Sequence, residues 1–151
     1  VDIDWAGIVA RTSLTPDYYY KSTSPTSGSW PTSAQMNGTN WPTVFIEGDG
    51  NPPSAGQGVL IVTGNLTMNG SDDWKGIVLV GGSYTSNGNT TVQGALISGL
   101  NIKLGMTIPA SSLGNGTKKI LYDSCNIAKA LNKYGGWSRM GNAWTDNWPS
   151  Y

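Results

Sequence analysis

Three stretches of the chain carry one hydrophobic pattern. Gly58-Val-Leu-Ile-Val-Thr-Gly-Asn-Leu66, Gly76-Ile-Val-Leu-Val-Gly-Gly-Ser-Tyr84 and Gly94-Ala-Leu-Ile-Ser-Gly-Leu-Asn-Ile102 align without a gap, their opening glycines 18 residues apart. In each, the glycine leads a run of mostly β-branched or aliphatic residues. Small or polar residues follow, and an apolar residue returns at the ninth position as Leu66, Tyr84 or Ile102. Strand, turn, strand is the reading. A less regular copy precedes them at Thr43-Val-Phe-Ile-Glu-Gly-Asp49, and a later one stands at Lys119-Ile-Leu-Tyr122.

A fixed period of this length, with no helix between copies, predicts a mainly β fold: a short β-solenoid of about 3–5 coils with rungs of about 18 residues. Each coil exposes an apolar inner face that only the next coil can bury, so Ile61, Leu79 and Ile97 are expected to stack as an interior ladder. Gly64-Asn65, Asn69-Gly70, Asn87-Gly88 and Asn115-Gly116 supply corners, because Asn and Gly tolerate positive φ. The same dipeptides are hairpin signals, so an antiparallel sandwich or meander is the competing reading. Constant spacing favours the solenoid, since a meander does not require it.

The chain reads as one domain over 1–151, with an irregular arm at 1–42, coils at 43–122, a helix at 123–136 and an aromatic tail at 137–151. The arm is rich in Ser, Thr, Pro and aromatics and has no sustained period. Asp123-Ser124 can cap a helix whose Ile127, Leu131 and Tyr134 share a face, and Gly135-Gly136 can end it. Such a helix is expected to cover the last coil or pack along the side of the stack.

Composition mainly excludes. Charged residues are only 12% of the chain, nine basic against nine acidic, while Ser, Thr and Asn fill 44 of 151 positions. With no His, one Glu (Glu47) and one Cys (Cys125), histidine triads, histidine metal sites and paired-cysteine redox centres are ruled out within the chain. Zero net charge gives no general attraction to nucleic acid. No window is apolar enough for a membrane span, and no signal peptide is visible. The start at Val1 without Met suggests a processed or truncated product. Adjacent Asp72 and Asp73 point to opposite sides of an extended strand, which argues against a catalytic pair. Gly48-Asp49-Gly50-Asn51 has too few acids for a strong Ca²⁺ site and reads as a turn. An enzyme is not expected, and neither a cofactor nor a metal is called for. Five N-x-S/T sequons, at Asn37, Asn65, Asn69, Asn89 and Asn115, are open to glycosylation in a suitable host.

The aromatics are the stronger lead. Trp30, Trp41, Trp137, Trp144, Trp148 and Tyr151 lie in the arm and tail, outside the three repeats. Aromatic planes beside amide and hydroxyl donors suit protein interfaces or stacking on sugar rings, and they equally serve as a second core over the coils. Cys125 is either a small buried side chain or a thiol for an intermolecular disulfide. Charge is also uneven. Residues 1–73 hold seven acids against Arg11 and Lys21, whereas 74–151 hold seven bases against Asp123 and Asp146, giving −5 and +5. If sequence order is axial position, copies can meet head to tail, a contact that does not close and yields a filament.

Gly58 to Met68, Trp74-Lys-Gly-Ile-Val-Leu-Val-Gly-Gly82, Val92 to Asn101, Tyr122-Asp-Ser-Cys-Asn126 and Trp144-Thr-Asp-Asn-Trp148 resemble the C-terminal portion of PilX-type pilus-assembly proteins. The resemblance covers roughly residues 40–151. It implies a bacterial, exported, cell-surface structural role beside type IV pilus machinery, and no catalytic residues to carry over. Family members place a pilin-like membrane helix before the Gly-rich solenoid, and no such helix occurs in this sequence. The expectation is an extracellular structural protein that assembles with itself or with other pilus or surface subunits through head-to-tail solenoid contacts. The alternative is an adhesive tip module that binds glycans through arm and tail tryptophans.

Overall fold

The computed structural model describes residues 3–21, 28–108 and 118–134. It is a parallel β-solenoid. Strands β1 (Tyr18–Tyr20), β2 (Thr43–Ile46), β3 (Gly56–Val62), β5 (Asp73–Val80), β7 (Thr90–Ile97) and β8 (Lys118–Tyr122) form one sheet in the order β1-β2-β3-β5-β7-β8. Strands β4 (Leu66–Gly70) and β6 (Tyr84–Gly88) form a second, two-stranded sheet. Every pairing is parallel. The central register repeats the sequence period, Gly58 facing Gly76 and Gly76 facing Gly94, with Leu66 opposite Tyr84 on the smaller sheet.

The glycine ladder explains why the period is so strict. Gly58, Gly76 and Gly94 have φ of 121°, 121° and 149°, and a Cβ on any of them would overlap the carbonyl oxygen of the residue beside it on the preceding coil. Only glycine lets adjacent coils approach at these points. The asparagines work differently from the expected corners. Among the described residues the only non-glycine with positive φ is Arg11. Instead, Asn69 Nδ2 donates to Asn51 Oδ1 (2.9 Å) and Asn87 Nδ2 to Asn69 Oδ1 (3.3 Å), one amide per coil. Asn65 Oδ1 likewise accepts from the N–H and hydroxyl of Ser83 on the next coil. Glycine takes the unusual backbone, and asparagine joins the coils through its side chain.

Two apolar clusters sandwich the large sheet. Val44, Ile46, Leu60, Val62, Val78 and Val80 meet Leu66, Met68 and Tyr84 of the small sheet in the lumen. On the opposite face Phe45, Val59, Ile61 and Leu79 lie under side chains from outside the coils, among them Trp5 and Ala130. Burial on both faces is why the strands read as continuous apolar runs rather than as alternation. It also relocates a predicted ladder. Ile61, Leu79 and Ile97 do stack in register, but on the outer face, and Ile97 is 38% exposed. The interior ladder is one residue earlier, at Leu60, Val78 and Leu96, because neighbouring strand residues point to opposite faces.

The third repeat departs from the other two. Leu66 and Tyr84 enter the lumen as expected, whereas Ile102 lies in a 3-10 turn over Leu100–Leu104 and is 67% exposed. Left-handed glycines bracket that turn, Gly99 (φ 80°) and Gly105 (φ 77°). Asn101 holds it back against the coils, its N–H bonding to Gly81 O (2.8 Å) and its Nδ2 to Thr63 O (2.9 Å). A strand is forgone there, and among the described residues the smaller sheet stops at β6.

The arm is more ordered than its composition predicts. Asp4 caps α1 (Trp5–Val9), and the buried Trp5 donates through Nε1 to Asn101 Oδ1 (2.9 Å). β1 adds a further parallel rung beside β2. At the far end of the chain, Asp123 caps α2 (Ser124–Leu131), accepting from the N–H groups of Cys125 and Asn126, and a 3-10 turn continues to Tyr134.

Candidate functional site

Of the two predicted positions, α2 takes the side of the stack, and it runs backward along it. Near its start, Asp123 N–H bonds to Gly94 O and Asn126 Nδ2 to Gln93 O, both on β7. In its last turn, Ala130 sits over Gly76 of β5, so closely that a Cβ on the glycine would be 3.2 Å from the alanine's. Past its end, the Tyr134 and Thr43 hydroxyls hydrogen-bond, and Lys133 pairs with Asp17 ahead of β1. The lengths agree: eleven residues of helix rise about 16 Å, and three strand spacings from β7 to β2 span about 14 Å. The helix therefore joins late coils to early ones.

This path alters the charge reading. Lys129 and Lys133 belong to the basic half of the sequence, yet α2 carries Lys133 to Asp17 in the acidic half and places Lys129 over Trp41. Sequence order is axial position for the strands but not for this helix. The expected lengthwise dipole is correspondingly reduced.

Where α2 meets the arm, a cleft of about 510 Å³ opens. Trp41 and Tyr18 supply aromatic walls, Gln35, Asn40 and Asn132 supply amides, and Lys129, Lys133 and Asp17 supply charge. Trp41 is half-buried, fixed by its Nε1 bond to Gly38 O (2.9 Å), with Lys129 Nζ 5.7 Å from a ring centroid. Gln35 uses Oε1 on the N–H and hydroxyl of Thr32, and Asn40 uses Nδ2 on Ala34 O. Partial burial pushes the Asp17 carboxyl up, but the Lys133 ammonium and the Thr43 N–H outweigh it and hold the group below the ordinary carboxylate range. Burial raises the Tyr134 hydroxyl.

The two ends of the solenoid are finished differently. At the first coils, Trp30 is 4% exposed, stacked on Tyr20 and edge-on to Trp74, and Met36 closes over Gly56. Arg11 lies over Tyr19, which stacks on Phe45. At the last coils, every exposed large apolar side chain among the described residues is found: Ile97, Ile102, Leu104, Met106, Ile120, Leu121 and Tyr122. Among the described residues β8 is the last strand and pairs only with β7.

The predicted aromatic sites thus separate. Trp30 is core, not a free interface residue, because the lumen needs a lid at its first coil. Trp41 does face a cleft. Trp137, Trp144, Trp148 and Tyr151 lie outside the described residues. Cys125 is exposed on the first turn of α2, which removes the reading of a small buried side chain. Asp73 accepts from Thr91 N–H one coil on (3.0 Å), and Asp72 is a half-buried carboxyl that burial, together with the Asp73 charge, pushes upward. Asp49 accepts from Asn65 N–H (2.8 Å), so the Gly48–Asn51 turn is tied into the coil contacts. Sequence reasoning missed Asn101 and the cleft wall at Gln35. Both depend on contacts between distant segments that no local pattern reveals.

Comparison with family models, curated proteins and solved structures finds no match to this chain.

Proposed function

We propose that the chain is a structural protein of the bacterial cell surface, associated with pilus assembly, that builds by adding copies end to end. The observation that carries this reading is the edge of β8, unpaired among the described residues, where Ile120, Leu121 and Tyr122 are exposed, Tyr122 at 79%. An unpaired edge offers a row of backbone donors and acceptors to another strand. At the opposite end β1 is also an edge strand, and it runs in the same direction. In a wholly parallel sheet, the strand that extends β8 without reversing direction is the β1 of a second copy. That contact is heterologous and propagates instead of closing. Apolar area drives it more than charge does, since α2 returns two lysines to the acidic half.

The surface location and the pilus association rest on the resemblance of residues 40–151 to PilX-type proteins and on a surface of hydroxyls and amides with few charges. Sedimentation and negative-stain microscopy across salt concentrations test the reading. Wild-type protein forms concentration-dependent oligomers or filaments, and Leu121→Lys leaves monomers with an unchanged thermal melt. Wild-type monomers under all conditions would overturn it.

A further inference from the structure

The cleft between the arm and α2 does not belong to the stacking edge, and its chemistry is of another kind. A volume of about 510 Å³ lies in the range of small-ligand sites. Trp41 is held half-buried and fixed in orientation by its bond to Gly38 O, so its ring is a preorganised plane rather than a side chain that must be ordered on binding. Around it the polar groups are partly committed in a selective way. Gln35 has bound its oxygen to Thr32 and keeps its amide N–H groups as donors, while Asn40 has bound its nitrogen to Ala34 and keeps its oxygen as an acceptor. Asn132 adds an exposed amide. A flat aromatic rimmed by both donors and acceptors fits a ligand with one C–H-rich face and hydroxyls around its rim.

Charge narrows the class. Lys133 is neutralised by Asp17, whereas Lys129 rests over the Trp41 ring with no carboxylate paired to it among the described residues. Among the described residues the cleft lining therefore carries a net positive charge, placed directly beside its aromatic plane. We infer that this cleft binds an acidic saccharide, with a pyranose ring stacked on Trp41 and its carboxylate paired with Lys129. Lys129 is exposed, so swinging it from the ring to the ligand's edge is cheap, and the cation–π contact is exchanged for a charge-assisted hydrogen bond. The inference does not depend on end-to-end assembly, because none of these residues is on β1 or β8 apart from Tyr18 at the cleft's margin.

A tetrasaccharide of galacturonic acid and its methyl ester, which keeps the rings and removes the charge, form the test pair. Calorimetry and tryptophan fluorescence on the full chain should register binding of the acid, with the ester at least about tenfold weaker. Lys129→Gln should erase that preference while leaving weak binding of both sugars, and Trp41→Ala should weaken both by about tenfold or more. Should Trp41→Ala fail to fold, Lys129→Gln, an exposed substitution, still decides the matter. Equal binding of acid and ester by the wild-type chain overturns the inference, as does no binding of either. Competition by acetate as effective as by the sugar overturns it too, by reducing the cleft to a simple anion site.

Discussion

The first and last coils of this solenoid have the same backbone and opposite finishes. At the first coil, Trp30 and Met36 close the lumen, and Tyr20 and Trp74 hold Trp30 in place. At the last, the smaller sheet has already stopped at β6, the lumen turns polar through the Tyr84, Ser86 and Thr90 hydroxyls, and β8 carries its apolar side chains into solvent. A stack of coils has no intrinsic length, so whatever limits it must be added at the ends. The arm closes the lumen at one end while leaving the β1 edge of the large sheet unpaired among the described residues. Among the described residues, nothing comparable covers the other.

The sharpest way to break this contrast is to substitute an aromatic at each end. Trp30→Ala empties a buried site beside Trp74 and should cost about 3–5 kcal/mol in denaturant melts, whereas Tyr122→Ala should change monomer stability by no more than about 0.5 kcal/mol. Comparable losses at both ends would mean that the last coil is covered after all. Next in size is Ala130→Leu, which pushes side-chain bulk into the glycine ladder at Gly76. Overpacking there should cost about 1–3 kcal/mol and release α2, seen as lost helical amide protection in hydrogen exchange. A neutral result would sharpen the comparison differently, by showing that the helix is not what ties the two ends.

The smallest effect is electrostatic. Asp17 has a lowered carboxyl pKa when folded, so its pairing with Lys133 contributes stability that is complete above the unfolded value of about 3.9 and is lost as pH falls through the lower folded value. The pair is partly exposed, and its contribution is at most about 1 kcal/mol. Melting temperature should therefore fall slightly more below pH 4 for wild type than for Lys133→Gln. Parallel curves for the two proteins would remove the pair from the account.

How much of this was legible in the sequence depends on the range of the interaction. The glycine ladder was, since a backbone clash recurring every coil stamps its period on the chain, and the strands of the three repeats followed from it. The face assignment was not. Val59-Leu60-Ile61-Val62 is apolar throughout because both sides of β3 are covered, and without alternation nothing distinguishes lumen from exterior. The fate of the third repeat was hidden for another reason. Ile102 occupies the same position as Leu66 and Tyr84, and the chain is turned aside by Gly99 and Gly105 together with Asn101, which reaches Thr63 and receives Trp5. At the candidate cleft, Trp41 was identifiable by type, while the lysine that gives the site its sign arrived on a helix from 88 residues later in the chain, at Lys129.

The backward course of α2 has a consequence for how the protein comes apart. In a simple stack, terminal coils fray one at a time, each loss sacrificing a single interface, and partly unzipped forms are populated. A helix attached at Gln93 and Gly94 on one side and at Thr43 and Asp17 on the other makes early and late coils depend on a common element. Opening either flank then strains the same strap, so the energetic chain becomes a loop, and unravelling by increments gives way to a single concerted transition. It also makes the helix a late arrival in folding. Its full seat does not exist until the coils it spans are in place.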